Sequence, residues 1–97
     1  MIGIEEKIEI LKKIKPELQK HYGVSFLGIF GSFVRGKQKR KSDLDILIDF
    51  ETVPTFFAFI RLERFLSKEL NIKVDLVMRS ALKPAIGKNI LNEVVHV

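Results

Sequence analysis

Asp43-Leu44-Asp45-Ile46-Leu47-Ile48-Asp49-Phe50 has the two-residue period of a strand. Leu44, Ile46, Ile48 and Phe50 form one face, and Asp43, Asp45, Leu47 and Asp49 form the other. Asp43 and Asp45 therefore project to the same side, with α-carbons ~6.5–7 Å apart. Aspartate is depleted in strands, so two or three in one strand need a reason. A hard divalent cation supplies one, because magnesium takes carboxylate oxygens and also phosphate oxygens. A solvated polar face on an edge strand supplies another, and the Asp-Leu-Asp pattern by itself does not separate the two.

Upstream, Val24-Ser25-Phe26-Leu27-Gly28-Ile29-Phe30 is a short apolar run that predicts a buried strand ending at Gly31-Ser32. A glycine there lets backbone approach a phosphate closely, and the following amides and the serine hydroxyl can donate to its oxygens. An isolated Gly-Ser pair is far more often an ordinary turn. Here it ends one strand just where, after a single loop, the double aspartate opens the next. That loop, Arg35 to Lys41, holds five basic residues in seven. Arg35 could pair bidentately with phosphate. Lys37, Lys39, Arg40 and Lys41 fit a solvated loop.

Further out, Ile4, Ile8, Leu11, Ile14, Leu18 and Tyr22 predict an amphipathic helix that Gly23 stops. Pro16 should kink it or begin a second helix. Thr55 should cap a helix through Phe56, Phe59, Leu62, Leu66 and Leu70, with Asn71 ending it. Phe56, Phe57, Phe59 and Phe65 make that helix apolar on more than one side, an excess that a partner surface would explain. Lys73-Val74-Asp75-Leu76-Val77-Met78 predicts a third strand carrying Asp75. Ser80 is placed as the cap of a helical turn over Ala81–Ile86, and a last turn is expected over Ile90–Val94. The pattern describes an α/β domain, a small mixed β-sheet flanked by helices, spanning residues 1–97.

Ninety-seven residues suffice for one domain, and 46% hydrophobic with 30% charged residues is a globular composition. Cysteine is absent, which excludes disulfides and thiolate zinc sites and fits a reducing cytoplasm. His21 and His96 lie at opposite ends of the chain, leaving little for a histidine metal site. His21 fits a structural place near a helix end. No apolar run approaches the ~18 residues of a membrane span, and the start, Met1-Ile2-Gly3-Ile4-Glu5-Glu6, lacks the order of a signal peptide. A formal charge of +5 favours an anionic ligand. No aromatics interleave the basic cluster, which argues against direct single-stranded nucleic-acid binding. Asp49 shares the parity of Asp43 and Asp45 but fits a surface or loop-capping place.

Gly31-Ser32, ten intervening residues and Asp43-Leu44-Asp45 resemble the signature of the DNA polymerase beta-like nucleotidyltransferase superfamily. The wider runs Gly31-Ser32-Phe33-Val34-Arg35-Gly36 and Ser42-Asp43-Leu44-Asp45-Ile46-Leu47-Ile48 are similar to its minimal branch, and Val74-Asp75-Leu76-Val77 resembles that branch's third-carboxylate strand. Relatives often carry tyrosine where this chain has Phe33. The resemblance implies that Gly31 and Ser32 hold triphosphate oxygens and that Asp43 and Asp45 ligate two Mg2+ ions. Asp75 would ligate the catalytic ion and help activate the attacking hydroxyl. The implied reaction is transfer of a nucleoside monophosphate, AMP from ATP, with release of pyrophosphate.

Little chain remains outside the nucleotide site to build an acceptor site, so the acceptor is expected on a partner or a second copy, and a homo-oligomer stays open. The minimal branch is similar to antitoxins paired with HEPN-type RNase toxins, in which the transferase places AMP on a toxin tyrosine. That is the leading expectation. A non-catalytic antitoxin acting by binding, and a dimeric small-molecule nucleotidyltransferase, are the alternatives.

Overall fold

A computed structural model of the chain describes residues 3–39 and 41–97. Met1, Ile2 and Arg40, and the readings made on them above, lie outside the described residues. The elements run α1 (Ile4–Tyr22), β1 (Val24–Phe30), α2 (Ser32–Arg35), β2 (Leu44–Phe50), α3 (Phe56–Leu70), β3 (Val74–Met78), a 3-10 turn (Arg79–Ala81), α4 (Pro84–Glu93) and β4 (Val95–His96). The sheet order is β3-β2-β1-β4. β1 pairs antiparallel with β2 and β4, whereas β2 and β3 run parallel, joined by the crossover helix α3. The sheet is mixed and flanked by helices, as expected.

The alternation in β2 is what orients the sheet. Leu44, Ile46, Ile48 and Phe50 enter a core shared with Leu11 and Leu18 of α1 and Leu62, Leu66 and Leu70 of α3. Each such side chain contributes about 1.5–3 kcal/mol by leaving water. Leu47 points to the opposite face yet is also fully buried. That face is not simply solvated, because the C-terminal segment returns over it and Val94 packs against Gly28, the partner of Leu47.

Several local expectations needed correction. α1 is one helix from Ile4 to Tyr22, so Pro16 does not begin a second one. Pro16 and Lys12 are both exposed, so water can meet the carbonyl that the missing N–H leaves free. The basic stretch begins inside a helical turn, with Arg35 the last residue of α2. The turns placed at Ala81–Ile86 and Ile90–Val94 are instead a 3-10 turn at Arg79–Ala81 and one helix, α4, with Pro84 at its first turn and no cap from Ser80. β4 was not anticipated, being only two residues long. His21 is exposed in the last turn of α1. The caps at Gly23, Thr55 and Asn71 stand as read; Thr55 accepts from the Ala58 amide at 3.1 Å.

Lys7 joins α1 to α3. It is buried at 2% exposure, and its Nζ donates to the Leu70 carbonyl, one of the end carbonyls of α3, at 2.6 Å. Lys7→Ala strands that carbonyl and opens a void. We expect it to destabilise the domain by about 2 kcal/mol, read as a lowered denaturant midpoint.

Candidate active site

Sheet register assembles the acidic residues. Phe30, the last residue of β1, lies opposite Asp45, and Asp45 lies opposite Asp75 across the parallel β2–β3 pair. Gly31-Ser32, Asp43, Asp45 and Asp75 thus share one end of the sheet. Asp75 is fixed from outside as well. The amides on either side of it, Val74 and Leu76, donate to Ser67 Oγ and Glu63 Oε2 of α3, both at 3.0 Å. These contacts also cover the β3 edge. Ahead of β2 the loop closes on itself, with Ser42 Oγ accepting from the Lys39 amide at 2.7 Å, and Asp43 follows directly.

Gly31 has φ 83 and ψ −151, a conformation that side chains avoid. A Cβ on it would overlap the Asp45 carboxylate. The glycine therefore permits close packing against a carboxylate, a more specific reason than the phosphate approach expected of it. Gly31's carbonyl accepts from the Val34 and Arg35 amides at 3.1 and 3.2 Å. The amides of Ser32 and Phe33 precede these first bonds of α2, and with the Ser32 hydroxyl they are the donors placed beside the aspartates.

The crowding of acids has an electrostatic consequence. Burial first, then the charges of Asp75 and Asp43, push the Asp45 carboxyl up to about 6 from 3.8. A hydrogen bond to Asp75 acts in the same direction, and only Arg35 opposes. Among the described residues no three acidic or imidazole side chains close on a common point. Asp45 shares its hydrogen bond with Asp75, while Asp43 lies 3.9 Å from Lys73 Nζ in an exposed pair. Three carboxylates that repel one another, one retaining its proton well above the usual range, are a donor set suited to a divalent cation. Asp43, Asp45 and Asp75 are the side chains that would hold it.

Two outlying residues are held by ion pairs. Asp49, at the other end of β2, pairs with Arg79 at 3.0 Å and accepts from the Phe50 amide, in keeping with the surface or loop-capping place expected of it. Arg35 points to Glu93, a residue that the pattern reading missed. Glu93 Oε1 accepts from the Gly31 amide at 2.9 Å and lies 3.2 Å from Arg35 Nη1, with Oε2 at 3.1 Å. A signal was available: an acid in the last turn of a helix opposes the helix dipole and needs a compensating partner. A groove of about 400 Å³ along α4, between Arg79, Lys83, Lys88 and Leu91, is lined by none of the three aspartates.

Comparison with known proteins agrees with this geometry. Residues 11–97 match the nucleotidyltransferase domain family. The protein adenylyltransferase MntA of Thermococcus cleftensis is 50% identical over 97 residues, covering 100% of this chain and 98% of the relative. A solved structure described as a minimal nucleotidyltransferase superposes with a TM-score of 0.81 at 28% identity, covering 99% of this chain and 97% of that one. A toxin–antitoxin crystal structure with AMP-PNP superposes with a TM-score of 0.70 at 25% identity, covering 95% of this chain and 70% of that one. With the glycine-serine bend packed on a strand aspartate and a second strand aspartate in register beside it, this chain belongs to the nucleotidyltransferase domain family, in its minimal branch.

Proposed function

We propose that this chain is a protein adenylyltransferase antitoxin that moves AMP from ATP to a hydroxyl, a tyrosine, of a cognate HEPN-type RNase toxin. The observation that carries this reading is the Asp45 carboxyl, packed under Gly31, hydrogen-bonded to Asp75 and pushed up to about 6. A carboxyl crowded by two others is relieved by a divalent cation, and Mg2+ brought with the triphosphate would supply that charge. Support for the protein acceptor comes from the Thermococcus cleftensis relative, whose name describes protein adenylylation, and support for the nucleotide from the AMP-PNP complex.

In the reaction the acceptor oxygen forms a bond to the α-phosphorus, and the bond from that phosphorus to the bridging oxygen breaks, releasing pyrophosphate. Two Mg2+ ions held on Asp43, Asp45 and Asp75 would neutralise charge on the attacking and leaving oxygens. The Ser32 hydroxyl and the Ser32 and Phe33 amides orient the β- and γ-phosphates, so positioning does much of the chemistry. Asp75 is exposed, where an incoming hydroxyl can reach it, and we assign it the acceptor proton. Outside the aspartate cluster, Val53, Phe56 and Phe57 are 70%, 72% and 76% exposed, an apolar surface suited to a protein partner. A reaction that draws on ATP fits the cytoplasm. No helix among the described residues is long and apolar enough to cross a membrane.

The test combines purified chain, ATP, Mg2+ and a cognate HEPN-type toxin. We expect the partner to gain the mass of AMP and lose RNase activity. A partner left unmodified by a chain that binds ATP would overturn the assignment. Asp43→Asn with Asp45→Asn distinguishes the binding-only antitoxin: protection that survives this double change means neutralisation by burial, not by transfer.

A further inference from the structure

We propose that Glu93, at the end of α4, is a positioning residue of the nucleotide site, a role that rests on the nucleotidyltransferase reading above. One carboxylate pins both ends of the glycine-serine turn. Its Oε1 accepts the Gly31 N–H at 2.9 Å, and the same group pairs with Arg35 at 3.1–3.2 Å. The peptide plane entering a glycine at positive φ can reorient at little steric cost, because no Cβ restrains it. The charged acceptor removes that freedom, and a charge-assisted bond is about twice as strong as a neutral one. Gly31's N–H and carbonyl are then both engaged within the protein. Phosphate oxygens are left to the Ser32 hydroxyl and to the next two amides, whose direction the Gly31 plane sets.

Glu93 could instead be a stand-in for phosphate, displaced when the triphosphate arrives. The surroundings favour a fixed brace. The backbone beyond Glu93 is tied to β1: Val95 pairs with Ile29, His96 with Gly28, and the Val97 amide donates to the Leu27 carbonyl at 2.9 Å. Val94 is packed on Gly28, and the Glu93 side chain is 24% exposed. The C-terminal strand therefore holds the carboxylate under the turn, and nucleotide affinity depends on a residue distant from it in sequence.

The experiment is titration of the full chain with ATP in Mg2+ by calorimetry, with thermal melting of each variant. Glu93→Ala should remain folded and bind ATP about tenfold more weakly, with the Gly31 bond and the Arg35 pair both lost. Glu93→Gln keeps an oxygen for the Gly31 N–H and should recover affinity to within a few-fold of native. Arg35→Ala with Glu93→Ala should lose less than the two single losses multiplied, because the Arg35–Glu93 pair is lost in both. Unchanged or tighter binding by Glu93→Ala overturns the proposal, as does Glu93→Gln binding as weakly as Glu93→Ala. Should Glu93→Ala not fold, Glu93→Gln decides alone: near-native affinity at near-native melting supports the role, and a tenfold loss overturns it. A native chain that fails to bind ATP sinks the nucleotidyltransferase reading itself, which is a separate result.

Discussion

Asp45→Asn should slow AMP transfer severely and, in metal-free buffer at neutral pH, make the protein more stable. The first effect follows from position. Asp45 touches Gly31, hydrogen-bonds Asp75 and feels the charge of Asp43, so it is the centre of the acidic cluster. Replacing its carboxylate by an amide of the same shape removes a charged donor while leaving the packing, and a loss on the order of 10³-fold in transfer rate is expected. The second effect follows from the raised carboxyl. The folded state holds the Asp45 proton up to about pH 6, whereas the unfolded chain releases it near 3.8. Between these values the folded state binds more protons, so stability falls as pH rises through the window and the deficit is complete above it. Asparagine carries no such charge. The variant should therefore melt a few degrees higher at pH 7, an increase limited by solvent screening around a carboxyl that is not fully enclosed. Its melting temperature should lack the decline between pH 4 and 6. Added Mg2+ should raise the melting temperature of the native chain, and much less that of the variant. Calorimetric melts with and without the ion, set beside a transfer assay, check all three expectations. A variant that melts lower than native at pH 7 would show that the acidic cluster is not under electrostatic stress.

What could be read in advance divides along local and non-local lines. β2, α3 and their caps were legible because Leu44, Ile46, Ile48 and Phe50 alternate strictly and because Thr55 and Asn71 carry local signals. The relation of Asp45 to Asp75 was only an expectation until the parallel register of β2 and β3 placed them opposite each other. Periodicity assigns a residue to a face but does not say which strand lies alongside. The C-terminal segment was read least well. α4 interleaves apolar and polar residues loosely, and β4 has only two residues, too short for any period. Its formation depends on pairing with β1, a contact spanning most of the chain. Glu93 was lost with it, since its role exists only once that segment returns beside Gly31. Pro16 shows the reverse case, a local signal for a new helix start that is overridden. α1 buries Leu11 and Leu18 on either side of the proline, and that packing carries the helix through one missing hydrogen bond.

Gly31→Ala is the substitution expected to separate the site from the rest of the fold most sharply, provided it is compared with Gly36→Ala. Both glycines have positive φ, 83 at Gly31 and 69 at Gly36, so alanine strains the backbone at each. A Cβ at Gly36 meets nothing within 4 Å. A Cβ at Gly31 meets the Asp45 side chain along its length, approaching Cγ at 3.0 Å and Cβ at 3.2 Å as well as the carboxylate oxygen. Rotating the carboxylate away does not relieve contact with Cβ, and the pairing of Phe30 with Asp45 holds the two strands in place. Gly36→Ala should then cost about 1 kcal/mol and leave ATP affinity within a few-fold of native. Gly31→Ala adds steric displacement of Asp45 to a conformation that alanine tolerates still less, at a total of about 2–4 kcal/mol. It also moves the turn that carries Ser32, and ATP binding should weaken by at least about 100-fold. Denaturant melts and ATP titrations on the two variants decide the matter. Equal effects at both positions would mean that backbone freedom alone is required at Gly31. A loss of binding confined to Gly31→Ala would show that the turn is built to seat an aspartate directly beneath the phosphate-binding amides.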